Sequence, residues 1–400
     1  MTNYVNSVQQ GTITIASGST TGTASVTAPT GTGILLYQGN STSATTSMAQ
    51  SLVRLSISGT TVTATRNTSS TNTCTVNFAY IDADPTNLVN SVQYGSIAIT
   101  SGTSNTATIS SVTTGNSVVA LLGFTAANAT FDWELNSPIL TLTSATVVTA
   151  AVGALSTNCT ANFVVIEFKG SALNQSTQFF SKAWTNSTLT TTQTITSVNV
   201  NNSMLIYSGS HNGNTATSAI DQQYVTLTNA TTVTIASGVA NSDAIKCNFW
   251  VVEFVAGVLS QNAQRGTIAL SAVTSNTATI TSATTTQTLC NYCGFTTSIS
   301  AVTSLATVLP NITQTNATTL TAAKNTGTGL TTVSYEALTF TAGGGGGFVA
   351  KERRTLPANG TKVGSRQIQG ARIERALARA GKYPSRYVPV VVFQRHQWQH

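Results

Sequence analysis

Asn90-Ser91-Val92-Gln93-Tyr94-Gly95-Ser96-Ile97-Ala98-Ile99 opens the clearest copy of a unit that runs four times along this chain. The unit closes with Cys159-Thr160-Ala161-Asn162-Phe163-Val164-Val165-Ile166-Glu167-Phe168. The opening recurs upstream as Asn6-Ser7-Val8-Gln9-Gln10-Gly11-Thr12-Ile13 and downstream as Asn262-Ala263-Gln264-Arg265-Gly266-Thr267-Ile268. A degenerate copy, Ser176-Thr177-Gln178-Phe179-Phe180, lies between them. The marker glutamines Gln9, Gln93, Gln178 and Gln264 are 84, 85 and 86 residues apart. That period exceeds the rung of a solenoid, about 20 to 50 residues, and matches a small domain. The expected organisation is therefore a string of domains at 1–88, 89–172, 173–258 and 259–341, a polyglycine linker at 342–347, and a C-terminal module at 348–400.

Within each unit the apolar residues alternate with Thr and Ser, the period of half-buried antiparallel strands. In the first unit this predicts strands at Thr12–Ala16, Thr23–Thr27, Ile34–Gln38, Leu52–Ser56, Thr61–Thr65 and Thr75–Ile81. The third strand (Ile34-Leu35-Leu36-Tyr37, Val119-Ala120-Leu121-Leu122, Met204-Leu205-Ile206-Tyr207) is apolar on both faces, as is the last. Six or so short strands per unit predict an all-β chain of four tandem immunoglobulin-like or jelly-roll-like β-sandwich domains.

Charge is sparse and uneven. Only 7% of residues are charged, far below the usual quarter. Residues 1–347 carry 7 Lys and Arg against 9 Asp and Glu, whereas residues 348–400 carry 11 against 2. The excess positive charge thus belongs to a small basic α+β module, expected to meet an acidic partner. A helix is expected from Arg366 to about Ala380, capped by Ser365 and ended by Gly381, followed by a short strand through Val390, Val392 and Phe393. Lys351, Arg353, Arg354, Arg366, Arg372, Arg375, Arg379 and Arg386, with Val390, Val392 and Phe393, are the candidate docking residues. The tail's aromatics are not interleaved with its arginines as in a single-strand stacking platform, so nucleic acid is not the expected partner.

Catalytic signals are weak, and no enzyme is expected. His211 stands alone in a Gly/Asn stretch, and His396 and His400 fall at the terminus. Cys290-x-x-Cys293 has metal-like spacing but lacks the two further ligands of a structural zinc site, so buried core thiols are expected there. Cys74, Cys159 and Cys247 recur one per unit and read as buried strand thiols. Asp82, Glu167 and Glu253 recur at the closing strand's end, with Thr339 in the fourth unit. One carboxylate per unit is thin for calcium, so a solvated or Arg-paired strand end is expected. No cofactor or metal is expected. No basic segment followed by an apolar core opens the chain, so no signal peptide is expected, and no apolar run reaches the about 20 residues of a membrane span.

The pattern Val-Gln-x-Gly-[Thr/Ser]-Ile-x-Ile, then Thr-Ala-Thr-Ile (Thr106 to Ile109, Thr277 to Ile280), then Leu121-Leu122-Gly123-Phe124, then Leu-Thr-x-Ala-Thr-x-Val-Thr (Leu142 to Thr149), then Val-Val-Glu-Phe (Val251 to Phe254) resembles tandem β-sandwich repeats of tailed-bacteriophage virion proteins. These include decoration, head-fibre and tail-fibre types, and the resemblance covers residues 6–341. It implies a non-enzymatic structural protein at the virion surface, made in the host cytoplasm, associating with other virion proteins and with copies of itself. The alternative is an adhesin binding host carbohydrate or receptor, with Phe131, Trp133, Trp184 and His211 as candidate contacts.

Overall fold

The structure, a computed structural model of the chain, describes residues 2–44, 47–127, 133–154, 158–185, 188–212, 222–239, 244–298 and 304–342, with the backbone of 350–352 and 366–368. Their regular structure is nearly all antiparallel β-strand. The first repeat supplies β1 (Val5–Ile15), β2 (Thr21–Ser25), β3 (Thr32–Thr42), β4 (Arg54–Ser58), β5 (Thr61–Thr65) and β6 (Cys74–Ala83). The second supplies β7 (Val89–Ile99), β8 (Ser104–Thr108), β9 (Ser117–Ala126), β10 (Ile139–Ser144), β11 (Val147–Ala151) and β12 (Cys159–Phe168). The third supplies β13 (Gln178–Thr185), β14 (Thr190–Thr194), β15 (Ser203–Asn212), β16 (Gln223–Asn229), β17 (Thr232–Ser237) and β18 (Ala244–Glu253). The fourth supplies β19 (Gln264–Ser271), β20 (Ser275–Thr279), β21 (Thr288–Thr297), β22 (Asn311–Asn316), β23 (Thr319–Ala323) and β24 (Leu330–Thr339).

Each repeat builds two three-stranded sheets. In the second, the closing strand β12 lies between β7 and β9, while β11 lies between β10 and β8. Ile97, Ile99, Val119, Leu140, Val148, Ala150, Cys159 and Phe163 fill one buried cluster drawn from both sheets. Alternation explains it: Val148 and Ala150 point inward while Val147, Thr149 and Ala151 remain partly accessible, as successive side chains must in a strand. The outward faces carry rows of hydroxyls. Thr106 stands opposite Thr149, which stands opposite Thr141; Thr192, Thr234 and Thr226 repeat the row, as do Thr277, Thr321 and Thr313.

The repeats are not separate beads. Thr2–Ala342 is one compact unit, and its sheets cross the repeat boundaries. β4 of the first repeat pairs with β9 of the second, β16 of the third with β21 of the fourth, and β22 of the fourth with β3 of the first. The sheets therefore follow one another cyclically, as blades do in a propeller, and the last repeat closes on the first. Each seam passes a glycine. A side chain on Gly39, Gly123, Gly209 or Gly294 would lie 2.1 to 2.3 Å from a backbone oxygen of the adjoining repeat (Pro310, Val53, Pro138 and Gln223). All four have positive φ, between 82° and 107°, and mark a bulge in the third strand.

A second device recurs at the same seams. The closing strands carry Asn77, Asn162, Asn248 and Ser334 among their buried residues. Asn77 donates to the Ile312 carbonyl at 3.2 Å, Asn162 to Leu55 at 2.8 Å, Asn248 to Leu140 at 3.0 Å and Ser334 to Val225 at 2.9 Å. The marker glutamines act within their repeats. Gln93 accepts from the Ser110 N–H at 2.7 Å and donates to the Ser110 carbonyl at 3.0 Å. Gln9, Gln178 and Gln264 clamp Thr27, Thr196 and Thr281 in the same way. A primary amide has the donor and acceptor of a peptide group, so the side chain replaces a missing strand beside an open edge.

The residue after each marker makes further ties. Gln10 exchanges hydrogen bonds with Gln314, and Tyr94 donates to the Gly33 carbonyl at 2.9 Å. Arg265 pairs with buried Glu336 at 2.6 Å and donates to the carbonyls of Val200 and Ser203. The third repeat lacks the glycine found two residues after the other markers because Phe180 occupies that place and stacks on Phe249 at 5.6 Å; elsewhere Phe78, Phe163 or Tyr335 lies over the glycine.

In the C-terminal unit, β25 (Ala350–Glu352) pairs antiparallel with β26 (Arg366–Ile368). The helix expected to start at Arg366 is therefore a strand over its first three residues, with Glu352 in register opposite Arg366. The rest of that helix, and Arg353, Arg354, Arg372, Arg375, Arg379, Arg386, Val390, Val392 and Phe393, lie outside the described residues.

Replacing Gly123 by Val forces a branched side chain into positive φ and against the Val53 carbonyl. A loss of about 3 kcal/mol or more in unfolding free energy is expected, from backbone strain and overpacking together. Urea unfolding followed by tryptophan fluorescence measures it, and the exposed Gly59→Val, also at positive φ but in open space, should cost less.

Candidate functional site

The third strands β3, β9, β15 and β21 adjoin one another around the centre of the unit. Two positions before the seam glycine they present Tyr37, Leu121, Tyr207 and Tyr292. Tyr292 meets Tyr37 edge to face at 6.0 Å and Tyr207 at 6.3 Å. In the second repeat leucine stands where the others have a phenol. These four residues line a cavity of about 50 Å³ together with Trp133, Ser137, Gln222 and residues from all four repeats. No charged residue is among those lining it. At the ends of the closing strands, Phe168, Phe254 and Phe340 pack edge to face at 5.5 and 6.2 Å.

Most polar groups on the cavity wall are already paired. The Tyr37 hydroxyl donates to Asn40 at 2.5 Å, and Tyr207 shares a hydrogen bond with Ser210 at 2.6 Å. Gln222 donates to Ser137 at 3.0 Å, and Ser137 donates to the Ser210 carbonyl. Trp133 differs. It is 3% exposed, packs edge to face on Phe124 at 6.5 Å, and its indole N–H meets no acceptor. Leaving such a donor buried and unpaired costs about 1–3 kcal/mol.

The other sequence candidates serve the fold. Asp82 accepts from the N–H groups of Thr30 and Gly31 at 2.9 and 2.8 Å, Glu167 from Thr113 at 2.9 Å and Glu253 from Asn199 at 2.8 Å. They are buried clips on the turn before the third strand, neither solvated nor paired with arginine. In the fourth repeat Thr339 instead shares a hydrogen bond with Thr288 at 3.0 Å. Cys290 and Cys293 are free and buried in different clusters. Among the described residues no group of three or more His, Cys, Asp or Glu could hold a metal ion, and no helix is long and apolar enough to cross a membrane.

The candidate receptor contacts do not converge on a surface. Trp133 is core. Trp184, expected to be exposed, is half-buried against the third repeat's cluster. His211, expected in a loop, is half-buried on β15, opposite Lys246. Phe131 lies outside the described residues. The cavity itself had one legible sign, the leucine at a position where three repeats have tyrosine; its alignment to the centre needs the ring closure. No family model matches the chain, and no curated protein does.

Several ionisable groups are displaced by their surroundings. Burial pushes the Cys159 thiol up to about 12 and raises those of Cys74, Cys247, Cys290 and Cys293. Burial likewise lowers Lys324 to about 8, though its ammonium donates to the Thr328 and Gly329 carbonyls at 2.9 and 2.6 Å. For Asp82 and Glu167 burial acts to raise the carboxyl, but the backbone and side-chain donors outweigh it and hold both below the usual range.

Two pH effects are expected. A carboxylate with a depressed folded pKa stabilises above its unfolded value, about 4, and loses that contribution as pH falls through the folded value. Glu167→Gln should therefore lose stability at pH 7 and show a flatter decline between pH 4 and pH 2 in thermal unfolding. A lysine lowered to about 8 has the opposite consequence on the alkaline side. Its charged form is penalised in the fold, so the penalty is relieved as pH rises from about 8 toward the unfolded value of about 10.4. The stability of the parent relative to Lys324→Met should then improve between pH 7.5 and 9.5. Both proteins should weaken in absolute terms over that range, because raised thiols resist ionisation only when folded.

Proposed function

We propose that the protein is a non-enzymatic structural component of a virus particle surface, of the decoration or fibre type found in tailed bacteriophages. Each repeat serves as a small β-sandwich, and the basic segment after the polyglycine stretch docks the ring to the particle. The observation that carries this reading is the division of charge between two separate units. The ring, Thr2–Ala342, is self-contained, and residues 1–347 hold 9 acidic against 7 basic side chains, while residues 348–400 hold 11 basic against 2 acidic. The described ring residues use their carboxylates, buried cations and thiols inside the fold. Arg66, for example, is 1% exposed and donates to the carbonyls of Ala16, Ser19, Gln50, Ser70 and Asn72. What the outer sheets present is an uncharged hydroxyl lattice, suited to a covering or projecting surface that does not attract charged molecules. Partners are thus other virion proteins with acidic surfaces, met through Lys351, Arg366 and the remaining basic residues of the tail.

A chain ending at Ala342 should keep the ring's cooperative unfolding and circular dichroism yet fail to co-sediment with particles that lack the native protein. Retention of full binding by the truncated ring overturns the docking role. Binding of the ring alone to a glycan array transfers the reading to an adhesin.

A further inference from the structure

We propose that the central cavity is a binding site for a small uncharged molecule of about three or four heavy atoms that carries a hydrogen-bond acceptor, such as a short-chain alcohol. Its origin is a gap in the pseudo-symmetry. Three repeats fill the centre with Tyr37, Tyr207 and Tyr292, and the second places Leu121 there, leaving a space of about 50 Å³. A water-sized occupant needs about 10–15 Å³ of such space, which sets the three or four heavy atoms.

The wall sets the chemistry. No residue lining the cavity is charged, so an ion entering it would lose its hydration without a counter-charge. The hydroxyls of Tyr37 and Tyr207 and the amide of Gln222 are engaged with Asn40, Ser210 and Ser137. The indole N–H of Trp133, buried with no acceptor, and the hydroxyl of Tyr292, which also lines the cavity, are left to donate. Around them Leu121, Phe124, Ile206 and Phe295 supply apolar contact. A wall whose polar groups are engaged with one another, apart from the Trp133 N–H and the Tyr292 hydroxyl, favours an aliphatic molecule with a single oxygen, which can accept from both, over a cluster of waters, since each water needs two to four polar partners. This inference is independent of the structural role proposed above.

The test uses the full chain, labelled with ¹⁵N and titrated with 2-propanol while the four indole N–H signals are followed by NMR. One signal should shift saturably, at least five times more than the others, and show nuclear Overhauser contacts to the alcohol's methyl protons. That signal should be missing in Trp133→Phe. Leu121→Tyr restores the absent phenol, so it should raise Tm and abolish the saturable shift. A linear shift common to all four indoles overturns the proposal. So do contacts of the Trp133 N–H to water alone at high alcohol, or an unchanged shift in folded Leu121→Tyr. The methyl contacts are read on the parent chain, so the experiment stays decisive even if Trp133→Phe does not fold.

Discussion

Close backbone approach at four seams is the constraint on which this molecule depends. A three-stranded sheet from one repeat cannot join the sheet of the next unless a residue with no side chain sits at the junction, and glycine does so at 39, 123, 209 and 294. Once the backbones meet, Asn77, Asn162, Asn248 and Ser334 can each reach a carbonyl across the junction. The asparagines and serine are buried, so each unmade bond would leave a desolvated polar group, at about 1–3 kcal/mol. The seam is therefore specified twice, by the absence of a side chain and by the presence of a particular one. Neither device works in an isolated repeat.

Much of the architecture could be read from the residues, but at the scale of one repeat. The period of the marker glutamines, the six strands and the buried closing strand all follow from alternation between Thr and β-branched residues. The first strand proved longer than expected, Val5–Ile15 in place of Thr12–Ala16. Polar Gln9 and Gln10 look like loop residues, yet one clamps a neighbouring edge and the other reaches Gln314 in the fourth repeat. The closing of the ring was not legible. A glycine after an apolar strand reads as a turn, and an asparagine within one reads as a weakness; only pairing between repeats shows that both are contacts. The strand-end acids illustrate the same limit, since their partners are backbone N–H groups that leave no trace in composition.

The candidate site follows the same pattern. Aromatic residues in polar stretches suggested exposed contacts, but Trp133 is buried beside the central cavity, in the repeat that has leucine in place of tyrosine there. A local reading assigns the tryptophan to solvent; the pseudo-fourfold arrangement assigns it to a gap that only comparison among the repeats reveals. Elsewhere Phe168, Phe254 and Phe340 pack edge to face where the first repeat has Ala83. At the Leu121 position the divergence coincides with both space and unspent hydrogen-bonding capacity.

The Tyr4 N–H donates to the Thr341 carbonyl, so the first and last strands of the ring share a junction, and Gln10 grips a residue 304 positions away. Three of the junctions can zip up as the polypeptide leaves the ribosome, but the fourth must wait for the final repeat. Until then the edge of β3 that will meet β22 has no neighbour. The entropy of bringing such distant segments together grows only with the logarithm of their separation, so the delay is one of synthesis and search more than of stability. Nascent chains meeting in that interval can exchange their unfinished ends, and crowded translation should yield interlocked dimers alongside the closed monomer.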